Sequence, residues 1–147
     1  MRPQFGSPPC TAVLTKLDEA TVRAATRASP SDAASDADAR LAARAVASSS
    51  LVKTAVHGGD PNWGRIVCAL GYSGAELALD RLHLSVGGLV VFERGSGVDV
   101  DLVAVRRAFE QPEIEIVARL GLAEGSAEAW GCDLSEEYVR INADYTT

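Results

Sequence analysis

Glycine and proline pairs divide this chain into short segments, and their spacing limits the fold more than any other sequence feature. Gly-Gly pairs at residues 58–59 and 87–88 and a Gln-Pro pair at residues 111–112 interrupt the apolar runs. None of these runs approaches the roughly 20 residues that a membrane-spanning helix needs. Because 47% of the 147 residues are apolar, the segments can share one core. We therefore expect one α+β domain in which helices cover a sheet.

Residue periodicity predicts helices and strands from about residue 35 onwards. The predicted helices span residues 35–48, 61–70, 100–110 and 135–142. The predicted strands span residues 51–56, 81–86, 89–94, 114–119 and 127–134, which gives the order α β α β β α β β α. Asp60 is expected to cap the helix that begins at Pro61, since proline at the first helical position loses no hydrogen bond.

The first part of the chain differs from the rest in composition. Residues 1–33 hold four of the six prolines and show no sustained apolar period. This composition predicts a loop or a disordered segment, with a short helical patch near residues 21–26. Residues 34–147 are expected to form the folded domain.

Charge and cysteine content exclude several classes of function. The net charge of −6 and the pI of about 4.9 disfavour general binding to nucleic acid or to an acidic membrane. The three cysteines form no CxxC pair, so they predict neither a zinc site nor a disulfide framework. We expect Cys68 and Cys132 to be buried free thiols in a reducing, cytoplasmic setting. The amino terminus has no apolar core of a signal peptide.

Two further features have ordinary structural interpretations. His57 and His83 lie 26 positions apart in the printed sequence without an acidic partner pattern, so both are predicted to be ordinary strand residues. The Gly-Ser-Gly stretch at residues 95–97 lacks the following Lys-Ser/Thr of a phosphate loop and is predicted to be a turn. No metal or cofactor site is expected.

The most specific sequence signals are four short motifs. LVKTA (residues 51–55) runs into DPNWGR (residues 60–65), and AWGCDLS (residues 129–135) is followed by YVRINADYTT (residues 138–147). DPNWGR by itself is explained by a helix cap and a packed tryptophan. Together the motifs resemble the carboxyl end of the β-chain of the ornithine acetyltransferase family, the bifunctional glutamate N-acetyltransferases of arginine biosynthesis. The resemblance runs from about Ser35 to Thr147.

This resemblance implies a fold and a reaction. The fold would be the carboxyl-terminal portion of an α/β/β/α sandwich of the N-terminal-nucleophile type. The reaction would be ping-pong acetyl transfer from N-acetylornithine, or from acetyl-CoA, to glutamate, without a metal or another cofactor. The implied partners are these small-molecule substrates, the α-chain and the remaining β-chain of the same enzyme, and further copies in an oligomer.

The resemblance also implies which residues bind substrate. Asn142 and Thr147 match the asparagine and the final hydroxyl residue that contact the amino-acid substrate in the family. Glu19, in the stretch DEAT, lies near the place of the family's substrate-binding glutamate, although both neighbouring glycines are absent. Without the resemblance, Glu19 would be interpreted as an ordinary exposed glutamate, and Asn142 and Thr147 as part of a frayed carboxyl-terminal tail.

The nucleophile is the weakest part of the resemblance. The family cleaves itself before a threonine within a Met-Ala-Thr-Met-Leu motif, and Thr11 in PCTAVL is only a faint match. We therefore expect that the nucleophilic segment is missing, that the chain has no catalytic residue of its own and that it is inactive alone. The alternatives are a truncated non-catalytic remnant with at most a ligand-binding or assembly role, and a related aminopeptidase of similar fold.

Overall fold

A computed structural model describes residues 25–144, which form a six-stranded mixed sheet. The strands are Ala25–Ser31 (β1), His83–Val86 (β2), Leu89–Glu93 (β3), Ser96–Gly97 (β4), Glu113–Arg119 (β5) and Ala129–Cys132 (β6). Their order across the sheet is β4-β3-β2-β5-β1-β6. The pair β1–β5 is parallel, and all other neighbours are antiparallel.

Four of the five described helices pack on one face of this sheet. The helices are Asp36–Ser48 (α1), Ser50–Gly58 (α2), Gly64–Gly71 (α3), Leu102–Phe109 (α4) and Glu136–Asp144 (α5). Buried residues of α1 to α4 form one hydrophobic cluster with residues of β1, β2, β3 and β5. The α5 helix buries none of its residues. The opposite sheet face, which carries Arg27, Glu115 and Trp130, is partly exposed to solvent.

Locally encoded elements agree with the sequence prediction. The Gly-Gly turn at residues 87–88 joins β2 to β3, and both glycines have positive φ angles of 54° and 79°. The alternating run after Pro112 forms β5, in which Ile114, Ile116 and Ala118 are buried. The predicted helices near residues 100–110 and 135–142 correspond to α4 and α5.

The predicted loop over residues 1–33 is wrong for residues 25–31, which form β1. This strand lies between β5 and β6 and pairs with both. Its residues are small or polar, and Pro30 lies within it, so local β-propensity is weak. Pairing on both sides supplies the stability that its own sequence does not. Residues 1–24 lie outside the described part of the chain.

The predicted strand at residues 51–56 is wrong, because this segment belongs to α2. The Ser49 side chain caps the helix by accepting a hydrogen bond from the Val52 backbone nitrogen at 3.4 Å. Val52, Ala55 and Val56 are buried at the i, i+3, i+4 spacing of one helix face. The β-branched residues suggested a strand, but burial of this face decides the conformation.

Asp60 does not cap the helix that was predicted to begin at Pro61. The α3 helix begins at Gly64, and its cap residue Trp63 makes no side-chain capping bond. Asp60 instead pairs with Arg65, with 3.3 Å between Oδ2 and Nη2. The acidic residue therefore joins the two ends of the DPNWGR motif.

The two described cysteines differ in exposure. Cys132 is buried and Cys68 is exposed, so the prediction of buried thiols holds only for Cys132. Cys68 lies on the outer side of α3, whose buried residues are Ile66, Ala69 and Leu70. Cys10 lies outside the described residues.

Glycine allows β6 to pass directly beneath α1. A Cβ atom on Gly131 would lie 2.5 Å from the Ala47 carbonyl oxygen and 3.2 Å from its carbon. The helix and the strand therefore approach closer than any other residue would permit. This contact fixes where the chain leaves β6 on its way to α5.

Candidate functional site

The two sequence stretches that carry the family resemblance lie side by side in the structure. LVKTA (residues 51–55) lies within α2, and the segment that follows β6 crosses this helix before it enters α5. The backbone nitrogen of Leu134 donates to the carbonyl oxygen of Lys53 at 3.3 Å. The Lys53 ammonium group lies 5.2 Å from the ring centre of Tyr138, a cation–π contact between α2 and α5.

Arg65 links the DPNWGR motif to α2. Its Nη1 donates to the Leu51 carbonyl oxygen at 3.0 Å and to the Thr54 hydroxyl at 3.1 Å. Its Nη2 lies 3.3 Å from the Asp60 carboxylate. One guanidinium thus satisfies three acceptors and holds Thr54 against the turn that precedes α3.

Local bonds stabilise the first turns of α5. The Ser135 hydroxyl accepts from the Tyr138 backbone nitrogen at 3.0 Å, and Glu136 and Glu137 lie in the positively polarised first turn. Arg140 donates to Glu137 through Nε at 3.1 Å and Nη2 at 2.5 Å. This bidentate bond lowers the pKa of Glu137 and raises that of Arg140.

A histidine and a buried aspartate connect α2 to the start of α5. His57 Nδ1 lies 2.9 Å from Asp133 Oδ2, and the Asp133 side chain has no solvent exposure. This separation is within hydrogen-bond distance, so the contact fixes the orientation of the His57 ring against Asp133. His57 was predicted to be an ordinary strand residue, and that prediction is wrong. The partner lies 76 positions away, so no sequence pattern could have found it.

An open apolar groove lies between α2 and α5. It has a volume of about 400 Å³ and is lined by Thr54, Leu134, Ser135, Glu136, Val139 and Arg140. Val139 is 51% exposed there. The groove therefore combines an apolar floor with one acidic and one basic side chain at its edge.

The predicted substrate-binding residues are only partly within the described structure. Asn142 lies on α5 with an exposed side chain, and its Nδ2 donates to the Tyr138 carbonyl oxygen at 2.7 Å. It follows the groove residues along the same helix. Glu19, Thr147 and the faint nucleophile candidate Thr11 all lie outside residues 25–144, so their placement stays a prediction.

Neither metal ligation nor membrane insertion finds support in the described residues. Within residues 25–144, no three histidine, cysteine, aspartate or glutamate side chains are grouped closely enough to hold a metal ion. In the same part of the chain, every helix is too short or too polar to cross a bilayer.

Comparison with known proteins gives the family. The model of the ArgJ family matches residues 17–147, which is most of the chain. This chain belongs to the ArgJ family. The match begins before β1, so the family region extends further towards the amino terminus than the predicted boundary at residue 34.

Individual relatives agree with this assignment. The arginine biosynthesis bifunctional protein ArgJ of Prochlorococcus marinus is 51% identical over 124 residues, which cover 78% of this chain and 30% of that protein. The glutamate N-acetyltransferase of Methanopyrus kandleri is 48% identical over 119 residues, which cover 78% of this chain and 30% of that protein. The chain thus spans about a third of the length of these relatives.

A solved structure shows the same fold. The crystal structure of the arginine biosynthesis bifunctional protein ArgJ from Bacillus halodurans superimposes with a TM-score of 0.80 at 35% identity. The alignment covers 84% of this chain and 59% of that one. The predicted fold class is confirmed: the chain has the mixed α+β fold of a portion of an ArgJ protein.

Proposed function

We propose that this chain is the substrate-binding part of a glutamate N-acetyltransferase of arginine biosynthesis. The complete enzyme would move an acetyl group from N-acetylornithine, or from acetyl-CoA, to glutamate. The observation that carries the proposal is the groove between α2 and α5, which residues of LVKTA, AWGCDLS and the carboxyl-terminal motif line together. Arg65 of DPNWGR does not line the groove, but it bonds the lining residue Thr54. Membership of the ArgJ family and the names of the relatives support the same reaction.

In this proposal the chain supplies polar groups that bind the amino-acid substrate. The Asn142 amide offers both a donor and an acceptor to a carboxylate or an acetamide group. It is exposed and bonded to a backbone carbonyl on its own helix, so it can turn to a ligand without opening the core. The Thr147 hydroxyl and the Glu19 carboxylate would complete the set, the glutamate by meeting the substrate ammonium.

The chain alone is expected to be inactive under this proposal. A threonine hydroxyl is a poor nucleophile without an adjacent base and without donors for the developing oxyanion. The α-chain and the remaining β-chain would provide these groups, and the partly exposed sheet face would be their packing surface. The assembled enzyme would be a cytoplasmic oligomer that needs no metal or other cofactor.

The substrate role of Asn142 can be tested in a chimera. The corresponding carboxyl-terminal part of the Prochlorococcus marinus relative is replaced by this chain, and acetyl transfer from N-acetylornithine to glutamate is followed by mass spectrometry. We expect Asn142→Ala to cost about 1–3 kcal/mol of substrate binding, which raises KM about fivefold to 150-fold.

A matched control lies on the same helix. Asp144 is also exposed, but it is displaced by roughly 200° around the helix axis from Asn142. Asp144→Ala should leave KM within twofold of the unmutated chimera. Equal KM values for the two variants would remove Asn142 from the site, whereas the acetyl-transfer proposal would still rest on the activity of the unmutated chimera.

A further inference from the structure

A second cavity lies between the carboxyl ends of α2 and α4. It is lined by Val56, His57, Gly58, Gly59, Phe109, Glu110 and Gln111. It shares no lining residue with the groove between α2 and α5. Its volume of about 290 Å³ is at the lower end for sites that bind small organic molecules.

Two helix ends of the same polarity meet at this cavity. The α2 helix ends at Gly58, and Gly59 follows in the left-handed conformation with φ of 60°. The α4 helix ends at Phe109. The carboxyl end of a helix carries a partial negative charge of up to about half an electron. Here capping groups bond some of the last carbonyls, those of Ala55, Val56, Arg106 and Arg107. The cavity wall therefore attracts positive charge.

A carboxylate strengthens this polarity. Glu110 is exposed, and its side chain lies over Gly59. A Cβ atom on Gly59 would be 3.3 Å from Glu110 Cγ and 3.6 Å from Oε1. The carboxyl group of the residue that follows α4 thus lies directly against the end of α2.

His57 and Gln111 supply the remaining polar lining. Asp133 fixes the His57 ring through the 2.9 Å contact at Nδ1 and places a buried carboxylate behind it. The Gln111 Nε2 donates to the Arg107 carbonyl oxygen at 3.0 Å, so its amide oxygen is the end that can accept from a ligand. Arg106 and Arg107 lie in the last turn of α4 but are exposed and do not line the cavity.

We propose that this cavity binds a small organic cation, an ammonium or a guanidinium group that donates hydrogen bonds to the Glu110 carboxylate and to the Gln111 amide oxygen. Both cations present several N–H donors, which can bond these two acceptors at once. A divalent metal ion fits less well, because the described residues offer no group of three histidine, cysteine or acidic ligands. The inference does not depend on acetyl transfer by the assembled enzyme.

Nuclear magnetic resonance on the 147-residue chain tests the site directly. A ¹⁵N-labelled sample is titrated with n-butylammonium chloride and, in parallel, with methylguanidinium chloride. At least one probe should cause saturable shifts of the Gly58, Gly59 and Gln111 amide signals. Neutral n-butanol, and sodium chloride at matched ionic strength, should not cause them.

A pair of variants separates the specific site from general charge attraction. Glu110→Gln removes the carboxylate at an exposed position and should weaken binding about fivefold to tenfold. Glu124→Gln removes an exposed carboxylate elsewhere and should leave affinity unchanged. Unchanged backbone spectra away from the cavity verify that both variants fold.

Three results would overturn the proposal. The first is a shift pattern that n-butanol reproduces, which would indicate apolar binding. The second is equal affinity of the two glutamate variants. The third is the absence of saturable shifts with both organic cations. If zinc chloride then caused saturable shifts of the same amides, the cavity would be a metal site instead.

Discussion

Substitution of Gly131 by alanine tests the close contact that directs β6 towards the candidate site. The new Cβ atom would lie 2.5 Å from the Ala47 carbonyl oxygen, 3.2 Å from its carbon and 3.4 Å from its Cα. All three atoms belong to the backbone of α1, so no side-chain rotation relieves the clash. Either α1 must move away from the sheet or β6 must move with its pairing partner β1.

The expected cost can be estimated from these distances. Forcing an extra methyl group into a packed interior costs about 1–3 kcal/mol. Alanine also reduces the conformational entropy of the unfolded chain, which offsets about 0.4–1 kcal/mol of this cost. The difference between the two terms spans about 0–2.6 kcal/mol, so we expect Gly131→Ala to lower the free energy of unfolding by roughly 1 kcal/mol. In a domain of this size, Tm would fall by roughly 2–8 °C.

Gly71→Ala provides the matched control for this measurement. Gly71 ends α3, and a Cβ atom there would have no heavy atom within 4 Å. This variant should be neutral or stabilised by up to about 1 kcal/mol, because alanine favours the helix. Thermal unfolding followed by circular dichroism compares the two. If Gly131→Ala were as stable as Gly71→Ala, the packing of α1 on β6 described above would be wrong.

Two capping predictions can be checked in the same assay. Asp60→Ala should cost less than about 1 kcal/mol, and less still at high salt, because Asp60 forms a partly exposed pair with Arg65 and does not cap a helix. Ser35→Ala should cost about 1 kcal/mol, because its hydroxyl caps α1 at the Asp38 nitrogen. The hydrogen bond from Ser35 also lowers the pKa of Asp38 below its ordinary value of 3.8. The stability that the protein gains from ionised Asp38 is therefore present above pH 3.8 and is lost as the pH falls below that value.

Local sequence signals were sufficient for the elements that depend on near neighbours. The β2–β3 hairpin follows from two glycines at positive φ, and β5 follows from strict alternation of Ile114, Ile116 and Ala118 with exposed or half-exposed residues. The start of α5 follows from Ser135 and the two glutamates after it. In each case the decisive interactions lie within a few positions along the chain.

The elements that were missed depend on distant partners. The β1 strand is small and polar, and its conformation is set by β5 and β6, which follow it by more than 80 positions. The α2 helix has strand-like β-branched residues, and packing of Val52 and Val56 in the core decides its form. Local propensity indicates neither the pairing partners of β1 nor the core packing of α2.

The candidate site shows the same division. Its motifs could be read in the sequence, and their spacing placed Asn142 on a terminal helix. The contacts that hold the motifs together could not be predicted from the sequence, because they join residues that are distant along the chain. Arg65 bonds the Leu51 carbonyl oxygen, and His57 pairs with Asp133, which lies 76 positions away. The cavity beside Glu110 likewise depends on two helix ends that are far apart in the chain.

The most direct test of the proposed function compares the chain alone with the chain in a complete enzyme. Both samples receive N-acetylornithine and glutamate, and mass spectrometry detects N-acetylglutamate and any acetylated threonine. We predict no turnover by the isolated chain and measurable turnover by the Prochlorococcus marinus chimera. Turnover by the isolated chain that Thr11→Ala abolishes would contradict this account and make Thr11 the nucleophile. A folded but inactive chimera would also contradict it, and would favour a role limited to ligand binding or assembly.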